Sequence, residues 1–195
     1  MHHASDSSTV PAANLAARIR AGELRAFEEL FRDQYAPLCA FANRYLHDPA
    51  TAEDLVQELF ANIWAAHTRL ELHGSVRAYL FAAVRNRALN FRKHQLVERD
   101  WEHDEALPDV RVLHRAPIAP DEQLETNETH ARLQSAIESL PERCRLVMQL
   151  RWREQMSYAE IATVMGISTK GVEIQLSRGL QTLRQRFGVS DPRQR

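Results

Sequence analysis

The sequence predicts an all-α protein with two small helical domains, an N-terminal helical bundle and a C-terminal domain, joined by an acidic linker that contains prolines. Apolar residues recur at intervals of three and four along most of the 195 residues, which is the spacing of a helix face. Between residues 101 and 120 this periodicity disappears and prolines occur among acids, which indicates a linker. We therefore expect a loose tail over residues 1–13, an N-terminal domain over 14–100, the linker over 101–120 and a C-terminal domain over 121–190.

The N-terminal domain begins with a helical hairpin or a bent helix. Pro37 lies within the periodic segment, so it either kinks one helix or starts a second one. Asp48 followed by Pro49 then predicts an N-cap and first turn, and this helix should run to about His67. The apolar face expected for the first segment comprises Leu24, Phe27, Leu30, Phe31, Leu38, Phe41 and Tyr45.

A third long helix is expected after Gly74, with Ser75 as its cap. The segment from Arg77 to Lys93 holds five basic residues and no acid, so one face of this helix should be cationic. Its core face is expected to comprise Val76, Tyr79, Leu80, Ala83, Val84 and Phe91.

The C-terminal domain contains a helix-turn-helix arrangement. Ser157 and Glu160 form the S-x-x-E capping box of a short helix, and Gly166 suits the left-handed turn that ends it. Ser168 can cap a longer helix with Val172, Leu176, Leu180, Leu183 and Phe187 facing inward. The start of that helix would enter a DNA major groove with a polar, cationic surface, with Gln175 at its margin; the surface comprises Ser168, Thr169, Lys170, Glu173, Ile174, Gln175, Ser177 and Arg178.

Composition excludes several classes of function. No apolar run is long enough to span a bilayer and the polar start lacks a signal-peptide core, so a cytoplasmic protein is expected. The two cysteines, Cys39 and Cys144, lie in apolar helical segments and are expected to be buried free thiols. The histidines show no metal-site spacing, and no phosphate loop or nucleophile elbow occurs, so we expect no enzyme, metal, cofactor or small-molecule substrate.

The C-terminal segments SLPERCRLVMQLRWREQMSYAEIATVMGIS and VEIQLSRGLQTLR resemble the promoter-binding region of extracytoplasmic-function (ECF) sigma factors of bacterial RNA polymerase. The N-terminal segments AFEELFRDQYAPLCAFANRYL, DLVQELFANIWAA and SVRAYLFAAVRNRALNFRK resemble, in the same order, the conserved N-terminal regions of that family. The resemblance covers roughly residues 24–94 and 133–187. It implies a sigma factor whose partners are core RNA polymerase, promoter DNA and an anti-sigma factor.

The resemblance also implies a polymerase-binding surface on the second helix. This helix would dock on the coiled coil of the largest polymerase subunit, while the C-terminal domain would meet the flap region. The acids suit basic groups of a partner helix, whereas Phe60 is open to a second interpretation as a core residue. The residues implied are Asp54, Gln57, Glu58, Phe60, Asn62 and Trp64.

The third helix resembles the part of the family that captures the minus-ten promoter element and an unstacked base. Asn86 aligns with an asparagine that many relatives carry, and amide groups can pair with a base edge. The aromatic rings of Tyr79 and Phe91 can stack on bases, or they can be core residues at helical spacing. The minus-ten residues implied are His73, Ser75, Tyr79, Arg85, Asn86, Asn90, Arg92 and Lys93.

Two alternatives stay open at this point. A stand-alone helix-turn-helix transcription regulator would explain the C-terminal half, although it leaves DLVQELFANIW and the basic third helix without a role. The acidic linker either mimics nucleic acid along the RNA exit path of polymerase or is a solvated spacer.

Overall fold

The computed structural model describes residues 12–69, 74–102 and 135–187. Within these ranges the regular structure is entirely helical, which confirms the all-α prediction. The α-helices are α1 (Ala12–Arg20), α2 (Leu24–Leu46), α3 (Pro49–Ala65), α4 (Val76–Glu102), α5 (Glu142–Trp152), α6 (Tyr158–Met165) and α7 (Thr169–Phe187). A short 3-10 helix, His67–Arg69, follows α3, and residues 135–138 are helical before α5.

The N-terminal domain packs α3 and α4 against α2. Gly22, with φ of 80°, separates α1 from α2, so the first segment is two helices. Pro37 lies inside α2, which continues through it to Leu46, and so it does not start a new helix. The core centres on fully buried side chains from all three long helices, including Phe41, Val56 and Phe81.

The start of α3 agrees with the sequence. The Asp48 carboxylate accepts hydrogen bonds from the Ala50 N–H at 3.2 Å and from the Thr51 hydroxyl at 2.5 Å, and Pro49 occupies the first helical position. These bonds satisfy helix-terminal donors that would otherwise lack partners. The helix ends at Ala65, slightly before the expected His67, which instead begins the 3-10 turn.

Several residues predicted for the core are exposed. Leu24 is 53% exposed and Phe31 37%, and both line an open groove along α2. On α4, Tyr79 is 41% exposed and Phe91 37%, so the core interpretation of both rings is wrong. Phe187 is 41% exposed at the end of α7. On α4 the buried positions are instead Val76, Ala78, Leu80, Phe81, Val84 and Ala88.

The C-terminal domain forms the expected helix-turn-helix. Ser157 and Glu160 make a complete capping box, and Gly166 takes the left-handed conformation with φ of 62°. The Gly171 N–H donates to Ser168 Oγ at 3.1 Å, so Ser168 caps α7 as predicted. The inner faces of α5, α6 and α7 bury Val147, Leu150, Ile161, Val164, Met165, Val172 and Leu176.

The two domains contact each other directly. Helix α4 of the N-terminal domain packs along α6, and the buried residues of both domains form one continuous hydrophobic cluster. The helix α4 extends to Glu102, so Trp101 and Glu102 are helical where the sequence suggested linker. The rest of the predicted linker lies outside the described residues. No helix among residues 12–69, 74–102 and 135–187 is long and apolar enough to cross a membrane.

Candidate functional site

The outer side of α4 carries one exposed stripe of polar and aromatic side chains. The Ser75 hydroxyl accepts a hydrogen bond from the Ala78 N–H at 3.3 Å and so fixes the start of the helix. From there, helical spacing aligns four predicted minus-ten residues on one side of the helix. All four side chains are exposed: Tyr79, Asn86, Asn90 and Lys93.

The remaining predicted minus-ten residues lie elsewhere. Arg85 and Arg92 occupy a second stripe of α4 that faces the C-terminal domain. Arg85 is half-buried, and its Nε is buried without a hydrogen-bond partner. Arg92 forms an ion pair with Glu142 of α5 at 3.5 Å. His73 lies outside the described residues.

Helix α3 presents a second exposed polar face, which meets α4 at one edge. Asp54 is exposed there, and Gln57 donates a hydrogen bond to the Tyr35 hydroxyl at 3.1 Å. Glu58 accepts from Asn62 at 3.4 Å and lies 3.8 Å from Arg87 of α4. These four predicted polymerase contacts therefore share one accessible face.

The two aromatic residues predicted for the polymerase surface are core or rim residues. Phe60 is 2% exposed and meets the edges of Phe27 and Phe31, so its side chain is not available to a partner in this conformation. Trp64 is half-buried, with its ring 4.9 Å from that of Phe27 and 5.0 Å from that of His67.

The exposed side of α7 gathers most of the predicted minus-thirty-five residues. Lys170 pairs with Glu173 at 2.9 Å, and Ile174 is 42% exposed although it is apolar. The exposed residues of this surface are Ser168, Thr169, Lys170, Glu173, Ile174, Ser177 and Arg178.

Gln175 lies at the edge of this surface and is half-buried. Its Oε1 accepts a hydrogen bond at 3.0 Å from the thiol of Cys144, which is buried in α5. Burial raises the pKa of the Cys144 thiol, although the charge of Arg178 opposes this, so the group stays a neutral donor at ordinary pH. Sequence reasoning missed this contact, because the two residues belong to different helices.

The cysteines and the possible metal ligands were predicted from the sequence as well. Both cysteines are free; Cys144 is buried as expected, whereas Cys39 is only half-buried. Among the described residues, no group of His, Cys, Asp and Glu side chains converges to hold a metal ion. The exposed surfaces present amides and an aromatic ring on α4, acids on α3, and mixed charges on α7.

Two family models match the chain. Residues 30–96 match sigma-70 region 2, and residues 130–183 match sigma-70 region 4. These two matches include the three exposed surfaces on α3, α4 and α7.

Proteins similar to this chain over most of its length are named RNA polymerase sigma factors. The chain is 30% identical over 170 residues to the RNA polymerase sigma-E factor of Streptomyces coelicolor, with 87% of this chain and 90% of that protein covered. It is 27% identical over 184 residues to the RNA polymerase sigma-H factor of Pseudomonas aeruginosa, with the same 87% and 90% coverage. It is 28% identical over 168 residues to the RNA polymerase sigma factor CnrH of Cupriavidus metallidurans, covering 84% of this chain and 87% of that one.

Solved structures share the fold. CnrH in complex with the cytosolic domain of CnrY superimposes with a TM-score of 0.60 at 23% identity, covering 92% of this chain and 99% of that one. The sigma factor RpoE of Bartonella quintana, in complex with the anti-sigma factor NepR, gives a TM-score of 0.59 at 21% identity, covering 85% and 98%. The chain therefore belongs to the sigma-70 family of RNA polymerase sigma factors and is a member of its extracytoplasmic-function type.

Proposed function

We propose that this sigma factor divides promoter recognition among three surfaces. As a sigma factor, the protein binds core RNA polymerase and directs promoter-specific initiation of transcription. In the proposal, the N-terminal domain, residues 14–100, binds polymerase and the minus-ten element, and the C-terminal domain, residues 121–190, binds the minus-thirty-five element. The exposed stripe on α4 is the observation that carries the proposal, because one side of a single helix presents an aromatic ring, two amides and a lysine to a partner.

The stripe on α4 suits a separated DNA strand. Parting a duplex costs about 1.4 kcal/mol per step, so a protein that opens DNA must hold the freed bases. Tyr79 offers a ring on which a base can stack, and the amides of Asn86 and Asn90 can pair with a base edge. Lys93, on the same side, can neutralise a phosphate. The exposure of all four side chains supports this assignment.

The surface of α7 suits a duplex major groove. The ion pair between Lys170 and Glu173 offsets the negative charge that Glu173 would otherwise present to DNA phosphates. Ile174, which is exposed, can contact a thymine methyl group, and Arg178 can contact guanine or a phosphate. The contact between Cys144 and Gln175 limits how far Gln175 can reach, so we assign it a position at the margin of the reading surface.

The acidic face of α3 suits a basic helical partner, which in the proposal is the coiled coil of the largest polymerase subunit. Asp54 and Glu58 are one helical turn apart and exposed. Next to this face, exposed Leu24 and Phe31 line an open groove on α2 together with Tyr35, whose hydroxyl bonds to Gln57. An apolar groove beside exposed acids is the composition expected of a protein interface.

Two further partners belong to the proposal, the polymerase flap region and an anti-sigma factor. In the proposal, the C-terminal domain binds the flap region of polymerase. An anti-sigma factor binds and regulates the protein, and these interactions take place in the cytoplasm. The protein supplies binding energy and strand capture, while polymerase carries out RNA synthesis, so no catalytic residue is assigned.

The test is transcription of a genomic promoter library by core polymerase with the purified protein, with two test variants and with a matched control for each. Asn86→Ala removes an amide from the stripe, and its matched control Gln95→Ala removes an exposed amide from another side of α4. Asp54→Ala removes an acid from α3, and its matched control Asp33→Ala removes an exposed acid from α2.

We expect specific starts with the wild-type protein and both controls, and a marked loss with both test variants. Asp54→Ala should also weaken co-purification with core polymerase, whereas Asn86→Ala should not. If the wild-type protein gives no starts and fails to bind core polymerase, yet binds particular duplexes alone, it is a stand-alone regulator and the proposal fails.

A further inference from the structure

Three arginines from the two domains lie near one another at the end of α2. Arg145 lies in α5 and Arg153 directly follows that helix with helical dihedral angles, so their spacing places both on one side of it. Arg44 lies near the end of α2 and is half-buried. Burial lowers the pKa of the Arg44 guanidinium, and the like charges of Arg153 and Arg145 lower it further. The three guanidinium groups therefore repel one another.

A buried amide lies between two of these arginines. Gln149 is midway between Arg145 and Arg153 on the same side of α5. Its side chain is only 8% exposed, and both its Oε1 and its Nε2 are buried with no hydrogen-bond partner among the described residues. A buried amide that makes neither of its hydrogen bonds is costly to the fold. A water molecule could satisfy the amide, but it would leave the repulsion between the arginines in place.

The surrounding acids offset only part of the positive charge. The carboxylates whose charges act on Arg44 are those of Glu138 and Glu154, and Glu154 also pairs with Arg77. When Arg77 is included, four guanidinium groups face two carboxylates, which leaves an excess of two positive charges. Arg145 also donates to the Glu138 carbonyl oxygen at 2.8 Å, which holds its guanidinium near the others. The excess matches the charge of one doubly charged anion.

We propose that Arg44, Arg145, Gln149 and Arg153 form a binding site for inorganic phosphate, here called the seam site. Guanidinium groups bind phosphate oxygens through charge-assisted hydrogen bonds, and the bound anion would replace their mutual repulsion with attraction. Arg44 belongs to the N-terminal domain and the other three residues to the C-terminal domain, so the ion contacts both. No residue of the seam site is assigned to polymerase or to DNA, and the inference is therefore independent of the proposed function.

The amide of Gln149 makes the seam site selective among oxyanions. Its Nε2 donates to a phosphate oxygen, while its Oε1 needs a donor in return. Hydrogen phosphate carries a P–O–H group that supplies this donor. Sulfate at neutral pH has no such group, and neither has the phosphate diester of a DNA backbone. The burial of Gln149 also favours a small ion over a duplex, whose backbone cannot enter a covered site.

The test measures binding of sodium phosphate to the full-length protein by isothermal titration calorimetry, with thermal unfolding as a second readout. Sodium sulfate at the same ionic strength is the comparison salt. Arg153→Gln removes an exposed guanidinium from the seam site, and its matched control Arg143→Gln removes an exposed guanidinium from another side of α5. Gln149→Leu removes the amide and keeps a side chain of similar bulk in its buried position.

We expect one phosphate per chain for the wild-type protein and for Arg143→Gln, together with a higher Tm in phosphate than in sulfate. Arg153→Gln should bind phosphate about tenfold more weakly, because it loses a charge-assisted contact. Gln149→Leu should lose the preference for phosphate over sulfate, while the arginines still attract both ions.

Two results would overturn the seam site. Equal stabilisation of the wild-type protein by phosphate and sulfate would reduce the effect to screening of the arginines by salt. Equal phosphate affinity of Arg153→Gln and Arg143→Gln would also contradict it. If phosphate has no effect, and Arg153→Gln binds a duplex oligonucleotide more weakly than Arg143→Gln does, the arginines serve DNA and the phosphate site is wrong.

Discussion

The thiol of Cys144 on α5 donates a hydrogen bond to Oε1 of Gln175 on α7 at 3.0 Å. This contact links α5 to the edge of the α7 surface for which we propose DNA binding. An amide whose oxygen is held in this way keeps its NH₂ group in a defined orientation. We therefore expect Cys144 to act as a positioning residue for Gln175.

A double-mutant cycle tests this coupling. Cys144→Ala, Gln175→Ala and the double variant should give a coupling free energy of about 0.5–1.5 kcal/mol in urea unfolding, which is the usual contribution of one hydrogen bond. Cys144→Ser keeps a donor and should lose less of the coupling than Cys144→Ala. Additive effects of the two single variants would show that the contact contributes nothing to stability.

Local signals in the sequence predicted where two helices begin and where the helix-turn-helix bends. Asp48 with Pro49, Ser157 with Glu160, and Gly166 each occupy the predicted position, because caps and left-handed turns depend on residues close together in the chain. These elements define where α3 and α6 begin and where the helix-turn-helix bends.

Helix orientation and contacts between domains were less predictable. Tyr79 and Phe91 have the spacing of core residues, yet α4 is covered from other directions by α2, α3 and the C-terminal domain, which leaves both rings exposed. The pairing of Arg77 with Glu154 joins residues far apart in sequence, and no local pattern marks it. Periodicity reports that a helix has a buried side, but the neighbours decide which side that is.

The turn at Gly166 should tolerate substitution poorly. A side chain at φ of 62° is strained, so Gly166→Ala should lower the free energy of unfolding by about 1 kcal/mol. Gly166→Asn should lower it less, because Asn adopts this conformation more readily. Urea unfolding measures both. Gly171→Ala is the matched control, since a Cβ there meets Ile167 at an ordinary 3.4 Å within a helix; an equal loss at both positions would contradict the strain argument.

The capping box makes stability depend on pH through Glu160. Burial opposes ionisation of this carboxyl, but hydrogen bonds from Ser75 and Ser157 and the charge of Arg77 outweigh it, so the pKa lies below the ordinary 4.5. A lowered folded-state pKa means that the ionised form stabilises the fold above the unfolded pKa. This stabilisation is lost as the pH falls through the folded-state pKa.

Glu160→Gln isolates this contribution. At about pH 7 the variant should be less stable than the wild-type protein by about 1 kcal/mol, the usual effect of a cap. As the pH falls below about 4.5 the difference between the two proteins should shrink, because the wild-type carboxyl becomes neutral as well. Urea unfolding at a series of pH values measures this difference, and a gap that widens on acidification would contradict the assigned direction of the pKa.

The exposed ring of Tyr79 should matter for DNA and not for folding. Tyr79→Ala removes a side chain that is 41% exposed, so we expect only a small change in the free energy of unfolding. Stacking of one base on an aromatic ring contributes about 1–3 kcal/mol, so the same variant should weaken capture of the minus-ten strand by roughly five- to 150-fold. Tyr79→Phe keeps the ring and should retain most of the affinity.

Phe91→Ala provides the matched control for this prediction, because Phe91 is 37% exposed on the same helix but lies off the stripe of Tyr79 and Asn86. Binding of a fluorescent minus-ten oligonucleotide to the polymerase complex formed with each variant measures the effect. Equal losses with Tyr79→Ala and Phe91→Ala would show that α4 binds the strand without a defined stacking position. A loss with Tyr79→Phe as large as that with Tyr79→Ala would instead assign the contact to the hydroxyl and exclude stacking as its basis.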